Sequence, residues 1–158
     1  MALAKNKQTD LKPRLLNPII ELLYPLIQAE AIMSGKHVHV EYGANVELPL
    51  DEKEIRQLIL NLSMNGLEAM EPGGILRIET GTDPEAGEVV LTIADQGRGI
   101  REEDLEKLGR PFFTTKEHGT GLGLAVCYSI AARHQAAIEV ESSGEGTTFR
   151  IRFRQGKA

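Results

Sequence analysis

Apolar residues recur along the chain at two different spacings, and these spacings predict which segments are helices and which are strands. Apolar positions three and four residues apart predict helices over residues 17–33, 51–70 and 122–134. Apolar positions at every second residue predict strands over residues 37–42, 75–80, 88–95, 138–142 and 147–154. The loop-rich sequences TGTDPEAG and SSGEG join the last four strands in pairs. Two antiparallel hairpins are therefore predicted.

This order of elements lacks the regular strand–helix–strand repeat of a parallel sheet. We therefore predict an α+β fold, a two-layer α/β sandwich in which a mixed, mostly antiparallel sheet carries the helices on one face. The other face should be solvated, because arginines alternate with apolar residues in the last strand, FRIRFR. A length of 158 residues suits one domain, which we place at residues 13–155 after a disordered or tag-like lead at residues 1–12.

The predicted ends of the first helix depend on turn-forming residues. Asn17 is followed by Pro18, a capping side chain and then proline at the first helical position, so the helix should start there. Ser34 and Gly35 should end it. Pro25 lies inside the helix and predicts a kink.

Composition and charge restrict the possible partners. Hydrophobic residues at 41% and charged residues at 26% are ordinary globular values. A formal net charge of −5 disfavours broad binding of nucleic acid, because phosphate backbones attract basic surfaces. No apolar run approaches the ~20 residues of a membrane span, and the polar start, MALAKNKQTD, carries no secretion signal. We expect a cytoplasmic domain that contacts neither nucleic acid nor membrane, even if the full-length protein is membrane-anchored.

The cysteine and the histidines give weak signals of chemistry. Cys127 is the only cysteine, which excludes an internal disulfide, and its apolar helical surroundings predict a buried core thiol. His37 and His39 flank an apolar strand face without a further Cys or His cluster nearby, so we interpret them as solvent-side residues rather than metal ligands. His134 is predicted to be a structural residue near a helix C-terminus.

The helix at residues 51–70 carries a narrow polar strip between two apolar stripes. Asn61, Asn65 and Glu68 fall on this strip at about 100° per residue. Asparagine is a mediocre helix former, and an amide between apolar flanks needs a hydrogen-bond partner. The strip predicts a ligand outside the helix, although two amides that bond neighbouring loops would give the same pattern.

Two glycine-containing segments are placed where backbone N–H groups can meet a ligand. DQGRGI follows a predicted strand directly, so Asp95 stands at the strand end before Gly97 and Gly99. KEHGTGLGL, residues 116–124, leads into the last helix, and a glycine turn at a helix N-terminus suits a phosphate. Taken alone, DQGRGI is better explained as a tight turn after a strand, and KEHGTGLGL is equally compatible with a purely structural helix start.

Four motifs stand in a fixed order: NLSMNGLEAM, DQGRGI, PFFTTK with GTGLGL, and GEGTTF. In this order and at these spacings the chain resembles the ATP-binding catalytic domain of a sensor histidine kinase. That domain belongs to the GHKL superfamily, together with gyrase, mismatch-repair and heat-shock chaperone ATPases. The resemblance covers about residues 15–154, and the PFFTTK run and the EAM ending are most similar to the nitrogen-regulatory and sporulation kinases. Any one motif is weak, but four in order are specific.

The resemblance implies a site for ATP and Mg²⁺. Asn65 corresponds to the asparagine that coordinates Mg²⁺, and Asn61 lies one turn earlier beside the phosphates. Asp95 corresponds to the aspartate that accepts a hydrogen bond from the adenine amino group, and Thr147 lies near the adenine pocket in relatives. Lys116 lies at the end of the lid and is expected, with Asn61, to be catalytic. The other expected nucleotide contacts are Gly97, Gly99, Ile100, Gly119, Thr120, Gly121, Leu122 and Gly123.

Two residues depart from the family pattern, and one segment is a candidate lid. Gly66 stands where most relatives have alanine, which should cost helix stability modestly. Glu68 stands where many histidine kinases carry a basic residue, so neutralisation of the phosphates would depend on Mg²⁺ and Lys116. The polar segment from about Arg101 to His118 is predicted to be a lid that becomes ordered when nucleotide binds.

Position 61 separates the classes within the superfamily. Hydrolytic relatives, and the serine kinases that regulate sigma factors, carry a glutamate there as general base, whereas Asn61 has no basic group to activate water. The resemblance therefore implies a phosphoryl donor whose acceptor histidine lies on a helical dimerisation domain, with a response regulator receiver domain downstream. No histidine of this chain stands in an H-E/D-x-x-N/R-P acceptor motif, so the isolated domain is expected to be inactive without its acceptor domain. A GHKL ATPase and a non-catalytic nucleotide-binding module are the alternatives.

Overall fold

The computed structural model describes residues 8–43, 46–108, 110 and 122–155. Within these ranges the strands are β1 (Lys12–Arg14), β2 (His37–Glu41), β3 (Leu48–Leu50), β4 (Ile75–Asp83), β5 (Glu88–Asp95), β6 (Ala137–Ser143) and β7 (Gly146–Arg154). The helices are α1 (Leu16–Met33), α2 (Glu52–Ala69), α3 (Glu102–Leu105) and α4 (Leu122–Arg133). None of these helices combines the length and the apolar composition that crossing a membrane requires.

The main sheet has five strands in the order β2-β4-β5-β7-β6. β2 runs parallel to β4, and all other neighbours in this sheet are antiparallel. The predicted α+β class, the mixed sheet and both hairpins are therefore confirmed. β4 is longer than predicted, because it continues to Asp83, which pairs with Glu88. The connection is the turn at residues 84–87 rather than the whole of TGTDPEAG.

One face of the main sheet carries the core, and α1, α2 and α4 pack against it. The buried strand side chains on this face are Leu76, Ile78, Val89, Leu91, Ile93, Phe149, Ile151 and Phe153. The opposite face is charged, and Arg152 there forms ion pairs with Asp83, Glu88 and Glu139 at 3.2, 3.3 and 3.1 Å. This division confirms the prediction of one covered and one solvated face. It also specifies the strand register, since a slip of one residue would turn every apolar side chain to solvent.

α2 begins at a capped position and buries the face that its periodicity predicts. The Asp51 side chain accepts a hydrogen bond from the Glu54 N–H at 3.2 Å, which satisfies one donor of the first turn. The buried residues of the predicted face are Ile55, Leu58, Ile59, Leu62 and Gly66. The polar strip is consequently turned away from the centre of the core, with Asn61 and Asn65 half-buried and Glu68 exposed.

The predicted cap of α1 is wrong. The helix begins at Leu16, no side-chain bond caps it, and Asn17 lies inside the first turn. The Asn17 Oδ1 instead accepts a hydrogen bond from the Thr80 hydroxyl at 2.8 Å, so this amide ties α1 to β4. The Asn17 side chain is therefore hydrogen-bonded to a residue of another element instead of capping its own helix. The predicted end is correct, since α1 stops at Met33.

A second, two-stranded sheet pairs β1 with β3, and the apolar periodicity does not predict it because each strand has only 3 residues. Lys12, the last residue of the expected lead, is already part of β1. Two residues earlier, the Asp10 N–H donates to Asp51 Oδ2 at 2.9 Å, at the start of α2. Residues 8–12 of the expected lead therefore contact the folded domain, and residues 1–7 lie outside the described part.

The histidines in the described ranges occupy structural or exposed positions, as predicted. The buried His134 ring accepts a hydrogen bond at Nε2 from the Asp51 N–H at 3.0 Å. Its Nδ1 therefore carries the proton and donates to the Ile130 carbonyl at 2.8 Å. These two bonds join the end of α4 to the start of α2. His37 and His39 are exposed on β2.

Candidate functional site

Three polar side chains form a row across adjacent strands at one end of the main sheet. Asp95, the last residue of β5, lies opposite Thr147 in β7, and Thr147 lies opposite Ser142 in β6. All three continue the strand faces that are turned towards the helices, since side chains alternate along a strand. We call Asp95, Thr147 and Ser142 the strand side of the site.

Two backbone N–H groups, one from the loop after β5 and one from β7, hold the Asp95 carboxylate in place. Its Oδ1 accepts hydrogen bonds from the Gly97 N–H at 2.8 Å and the Thr147 N–H at 3.3 Å. Among the described residues no donor bonds Oδ2, which leaves that oxygen as an acceptor for a ligand. Burial raises the pKa of Asp95 above its ordinary value, against the lowering effects of these two hydrogen bonds and of the nearby Arg98. The carboxylate is thus preformed to accept a hydrogen bond in a partly desolvated position.

Ser142 connects the strand side to the loop that follows β5. Its hydroxyl accepts a hydrogen bond from the Ile100 N–H at 2.6 Å and lies 2.8 Å from Thr147 Oγ1. Ser142 is not among the site residues predicted from the sequence, although the alternation along its strand indicates on which face it lies. The alternation of Ile138 and Val140 places residue 142 on the face towards the helices, where a hydroxyl needs a partner.

The glycines of DQGRGI allow the loop to pack closely on the protein itself. A Cβ on Gly97 would lie 2.6 Å from the Ala69 carbonyl oxygen at the end of α2. Gly99 has a φ of 82°, and a Cβ there would overlap the Ser143 carbonyl oxygen in β6. The loop is therefore held between α2 and β6. This is a packing reason for both glycines, separate from the ligand approach that the family resemblance implies.

Asn61, Asn65 and Gly123 form what we call the helix side of the site. The Asn61 amide donates to the Gly123 carbonyl at 3.4 Å, so α2 meets the first turn of α4 here. The thiol of Cys127, which is buried as predicted, donates a hydrogen bond to the Leu58 carbonyl oxygen at 3.9 Å. Burial raises the pKa of that thiol to about 12, and the nearby Asn61 amide opposes the rise only in part. The Asn61 amide therefore has a partner within the protein. This agrees with the second interpretation of the polar strip, in which its amides bond neighbouring segments of the chain.

α2 approaches the strand side at Gly66. A Cβ on this glycine would lie 2.7 Å from Leu76 Cδ1 and 3.3 Å from Asp95 Cβ. The missing side chain lets the helix lie against the end of β5, and this brings Asn65, the preceding residue, to the same end of the sheet as Asp95. An alanine at this position would require Leu76 to move.

Comparison with known proteins identifies the family of the chain. Residues 50–157 match the family of histidine kinase-, DNA gyrase B- and HSP90-like ATPases. The chain belongs to this family. The matched range contains α2, both hairpins and α4, and thus the strand side and the helix side of the site.

Individual relatives narrow the likeness to histidine kinases. The chain is 33% identical over 154 residues to Sporulation kinase C and 36% identical over 156 residues to Sporulation kinase A, both of Bacillus subtilis (strain 168). These alignments cover 96% and 97% of the chain but only 36% and 25% of the two kinases, so the chain spans about a third and a quarter of their length. The catalytic domain of the histidine kinase ThkA, in a nucleotide-free form, superposes with a TM-score of 0.82 at 28% identity, covering 92% of this chain and 95% of that one. The resemblance to histidine kinase ATPase domains is confirmed.

The structure describes only part of the site predicted for this ATPase-family domain. Lys116, Gly119, Thr120 and Gly121 lie outside the described residues, as do the Leu122 side chain and, within the predicted lid, residue 109 and residues 111–118. Gly123 lies in the first turn of α4, and a Cβ there would meet no atom of the described residues within 4 Å.

Proposed function

We propose that the chain is the ATP-binding catalytic domain of a two-component sensor histidine kinase. In this proposal it donates the γ-phosphoryl group of ATP to a histidine on a separate dimerisation domain. The observation that supports it best is the Asp95 carboxylate, which is held at Oδ1 by two backbone N–H groups and keeps Oδ2 for a ligand. The shared fold with a histidine kinase catalytic domain supports the same conclusion.

In the proposed complex, the strand side binds the adenine base. Asp95 Oδ2 accepts a hydrogen bond from the adenine amino group, and Thr147 lies beside it. Because Gly97 and Thr147 already orient the carboxylate, little ordering is needed when the base binds, and preorganisation of this kind favours affinity. Gly99 and Ile100 belong to the loop that borders the base.

The helix side would hold the phosphates and Mg²⁺. Mg²⁺ prefers oxygen ligands and keeps several from phosphates and water, so one side-chain amide oxygen, from Asn65, is a fitting protein contribution. Within the described ranges no three His, Cys, Asp or Glu side chains converge on a cation site, so the nucleotide itself would supply other oxygens. When bound, the ion neutralises charge on the phosphates. Lys116 and the turn at residues 119–123 are the further phosphate contacts in this proposal.

Transfer forms a bond between the acceptor imidazole nitrogen and the γ-phosphorus, breaks the bond from that phosphorus to the β,γ-bridging oxygen, and releases ADP. Such reactions depend mainly on positioning and on stabilisation of charge. Asn61 carries an amide and no basic group, so it does not prepare water for attack. The site thus suits transfer to a positioned acceptor better than hydrolysis, which disfavours the GHKL ATPase alternative.

The acceptor histidine would lie outside this chain. His134 is buried with both ring nitrogens bonded, and His37 and His39 lie on β2 at the opposite edge of the main sheet from β6. We therefore propose the dimerisation domain of the same kinase as the direct partner, and a response regulator receiver domain as the next one. A cytoplasmic location, where ATP is available and Cys127 stays reduced, fits this role.

Radiolabelled ATP with Mg²⁺ tests the proposal. The 158-residue chain alone should bind ATP but acquire no label and release little phosphate. Adding the histidine-containing domain of the same kinase should label that domain with a phosphate that is acid-labile and base-stable. Strong labelling of the chain alone would contradict the proposed division of roles, and rapid release of phosphate by the chain alone would favour an ATPase.

A further inference from the structure

The side of α1 that is turned away from the core is apolar. α1 buries Leu16, Ile19, Ile20, Leu23, Ile27 and Ala31 against the rest of the domain. At about 100° per residue, other apolar side chains span an arc of roughly 120° on the opposite side of the helix. These residues, which we call the outer face of α1, are Pro18, Leu22, Pro25, Leu26, Ala29, Ile32 and Met33, and all of them are exposed.

The exposure of the outer face is too extensive for an ordinary protein surface. Leu22 and Leu26 are 59% and 55% exposed, and Ile32 and Met33 are 68% and 82% exposed. Single exposed apolar residues are common, but a contiguous apolar patch of roughly several hundred Å² marks an interaction site. A helix that is apolar on both sides is normally covered on both sides. The outer face therefore has the character of a surface that a partner covers.

The spacing of the outer face fits a helix as the partner. Leu22, Leu26, Ala29 and Met33 follow the spacing i, i+4, i+7, i+11, which is the seam along which one helix packs against another. The small side chain of Ala29 in the middle of this seam allows a close approach. An extended strand presents side chains at every second residue and would not match the seam.

The charges beside the outer face determine which kind of helix fits. Glu21 borders one side of the face and Glu30 the other, and they are the only charged residues of α1. Lys36, the first basic residue after the helix, is turned towards α2, where its ammonium group donates to the Leu67 carbonyl oxygen at 2.5 Å. Acidic borders attract basic residues on the flanks of a partner helix. A second copy of this chain would bring the same two acids, and an anionic membrane surface would be repelled.

We propose that the outer face of α1 docks an amphipathic helix of a partner protein, with the apolar stripe of that helix on this face and lysine or arginine beside Glu21 and Glu30. The surface is separate from the nucleotide site. α1 and α4 both pack on α2, but α1 lies towards β2 and α4 towards β6, at opposite edges of the main sheet. The docked helix would therefore leave the space between α2 and α4 free for nucleotide, and docking itself does not depend on nucleotide.

The size of the outer face predicts a weak, reversible contact. Stable pairs of free proteins bury ~800 Å² on each partner, which is more than one side of a single helix offers. We therefore expect a dissociation constant of about 1 μM or weaker. In the proposed kinase, such a contact would serve regulation rather than the transfer step.

Two synthetic helical peptides test the proposal. Both have leucine at the a and d positions of three heptads, and one carries lysine at e and g where the other carries glutamate. Like charges at e and g keep each peptide from pairing with itself. Titration of the 158-residue chain against each labelled peptide, followed by fluorescence anisotropy without nucleotide, should show at least about tenfold tighter binding of the lysine peptide. The preference should shrink at high salt, because these contacts are exposed to solvent.

Reversing the charge of the two acids should reverse the preference. In the double variant Glu21→Lys with Glu30→Lys, the glutamate peptide should bind more tightly than the lysine peptide. Glu85→Lys with Glu145→Lys is the matched control, because it makes the same change of charge at exposed positions of the two hairpin turns. The lysine peptide should remain preferred in that control.

Removing the apolar seam separates docking from simple attraction of charges. Leu22→Ser with Leu26→Ser should weaken binding of the lysine peptide at least about tenfold without lowering the denaturation midpoint, because both side chains are exposed. Equal binding of the two peptides, or a preference that survives reversal of Glu21 and Glu30, would overturn the proposal. Dimerisation of the chain that is lost in the serine variant would assign the outer face to a second copy instead. Titration of ATP with the same samples tests the proposed function separately.

Discussion

The strand side and the helix side of the site are built in different ways. On the strand side, Asp95, Thr147 and Ser142 occupy paired positions of three neighbouring strands, and several hydrogen bonds of 2.6–3.4 Å hold them. On the helix side, Asn61 reaches the first turn of α4 through one bond of 3.4 Å. Strand register therefore determines the geometry of one side, while the other depends on the approach of two helices.

In the proposed nucleotide complex, this difference suits the two sides to different tasks. A side held by backbone donors can bind a rigid base without reorganising, which suits selectivity. A side made of helix amides and a helix start would gain its binding energy from phosphates and an ion, both of which bring their own charge. We therefore expect mutations on the strand side to affect the fold and the base, and mutations on the helix side to affect the Mg²⁺-dependent part of binding.

The largest effect should follow from Gly99→Ala, which tests whether the loop is held on the strand side. Its φ of 82° is unfavourable for alanine, and the new Cβ would overlap the Ser143 carbonyl oxygen. We expect a loss of about 3 kcal/mol or more in the free energy of unfolding, measured by urea denaturation. Gly81→Ala is the control, because a Cβ there meets nothing within 4 Å. Equal denaturation midpoints for the two variants would show that the loop is not fixed by this contact.

Asn65→Ala should give the next largest effect, on the helix side. We expect roughly tenfold weaker ATP binding when Mg²⁺ is present, about 1.4 kcal/mol, and little change in EDTA. The difference between the two conditions, measured by calorimetry, isolates the ion. Gln57→Ala is a matched control two turns earlier on α2, with an exposed side chain. An equal loss with and without Mg²⁺ would mean that Asn65 serves packing or the nucleotide directly.

The pH dependence of binding should report on Asp95. Binding needs the ionised carboxylate, and burial raises the pKa of Asp95. As the solution is acidified, ATP affinity should therefore begin to fall at a higher pH than it would with an ordinary aspartate.

The same raised pKa has the opposite effect on stability. The folded state binds this proton more tightly than the unfolded state, so Asp95 lowers the free energy of unfolding once pH rises above its folded pKa. Asp95→Asn should therefore raise the unfolding free energy at pH 7, and the gain should shrink on acidification. Lower stability of Asp95→Asn at pH 7 would contradict this assignment.

The smallest effect should be that of Asn61→Ala on stability. The bond it removes is long and partly exposed, and alanine is a better helix former by about 0.5 kcal/mol. The unfolding free energy should therefore change by less than about 0.5 kcal/mol, while ATP-dependent transfer to the acceptor domain should fall. A loss above roughly 1.5 kcal/mol would identify Asn61 as a structural link between α2 and α4.

Sequence patterns predicted the fold correctly in those helices and strands whose buried residues recur at a regular spacing. Ile55, Leu58, Ile59 and Leu62 follow helical spacing, and Leu91 and Ile93 follow strand alternation, because each element packs one face on one core. β1 and β3 escaped prediction because 3 residues are too few to show a period.

Local rules failed where a tertiary partner competes for a side chain. The capping rule placed Asn17 outside α1, but the Thr80 hydroxyl takes its amide oxygen. In the candidate site, Asp95 could be predicted because it ends a strand before two glycines. The part played by Ser142 was missed, although the predicted hairpin already pairs its strand with β7. The hairpin prediction gives neither the register that sets Ser142 opposite Thr147 nor the path of the loop that brings the Ile100 N–H to the serine.

Binding of ATP by Asp95→Ala tests the central claim most directly. Calorimetric titration of Mg·ATP should show affinity about 10- to 150-fold weaker than for the unmodified chain, the equivalent of a 1.5–3 kcal/mol hydrogen bond to a charged group. Asp83→Ala, which removes a carboxylate at the opposite end of the same sheet, should bind normally. Unchanged affinity in a folded Asp95→Ala variant would contradict the assignment of the strand side to the adenine base.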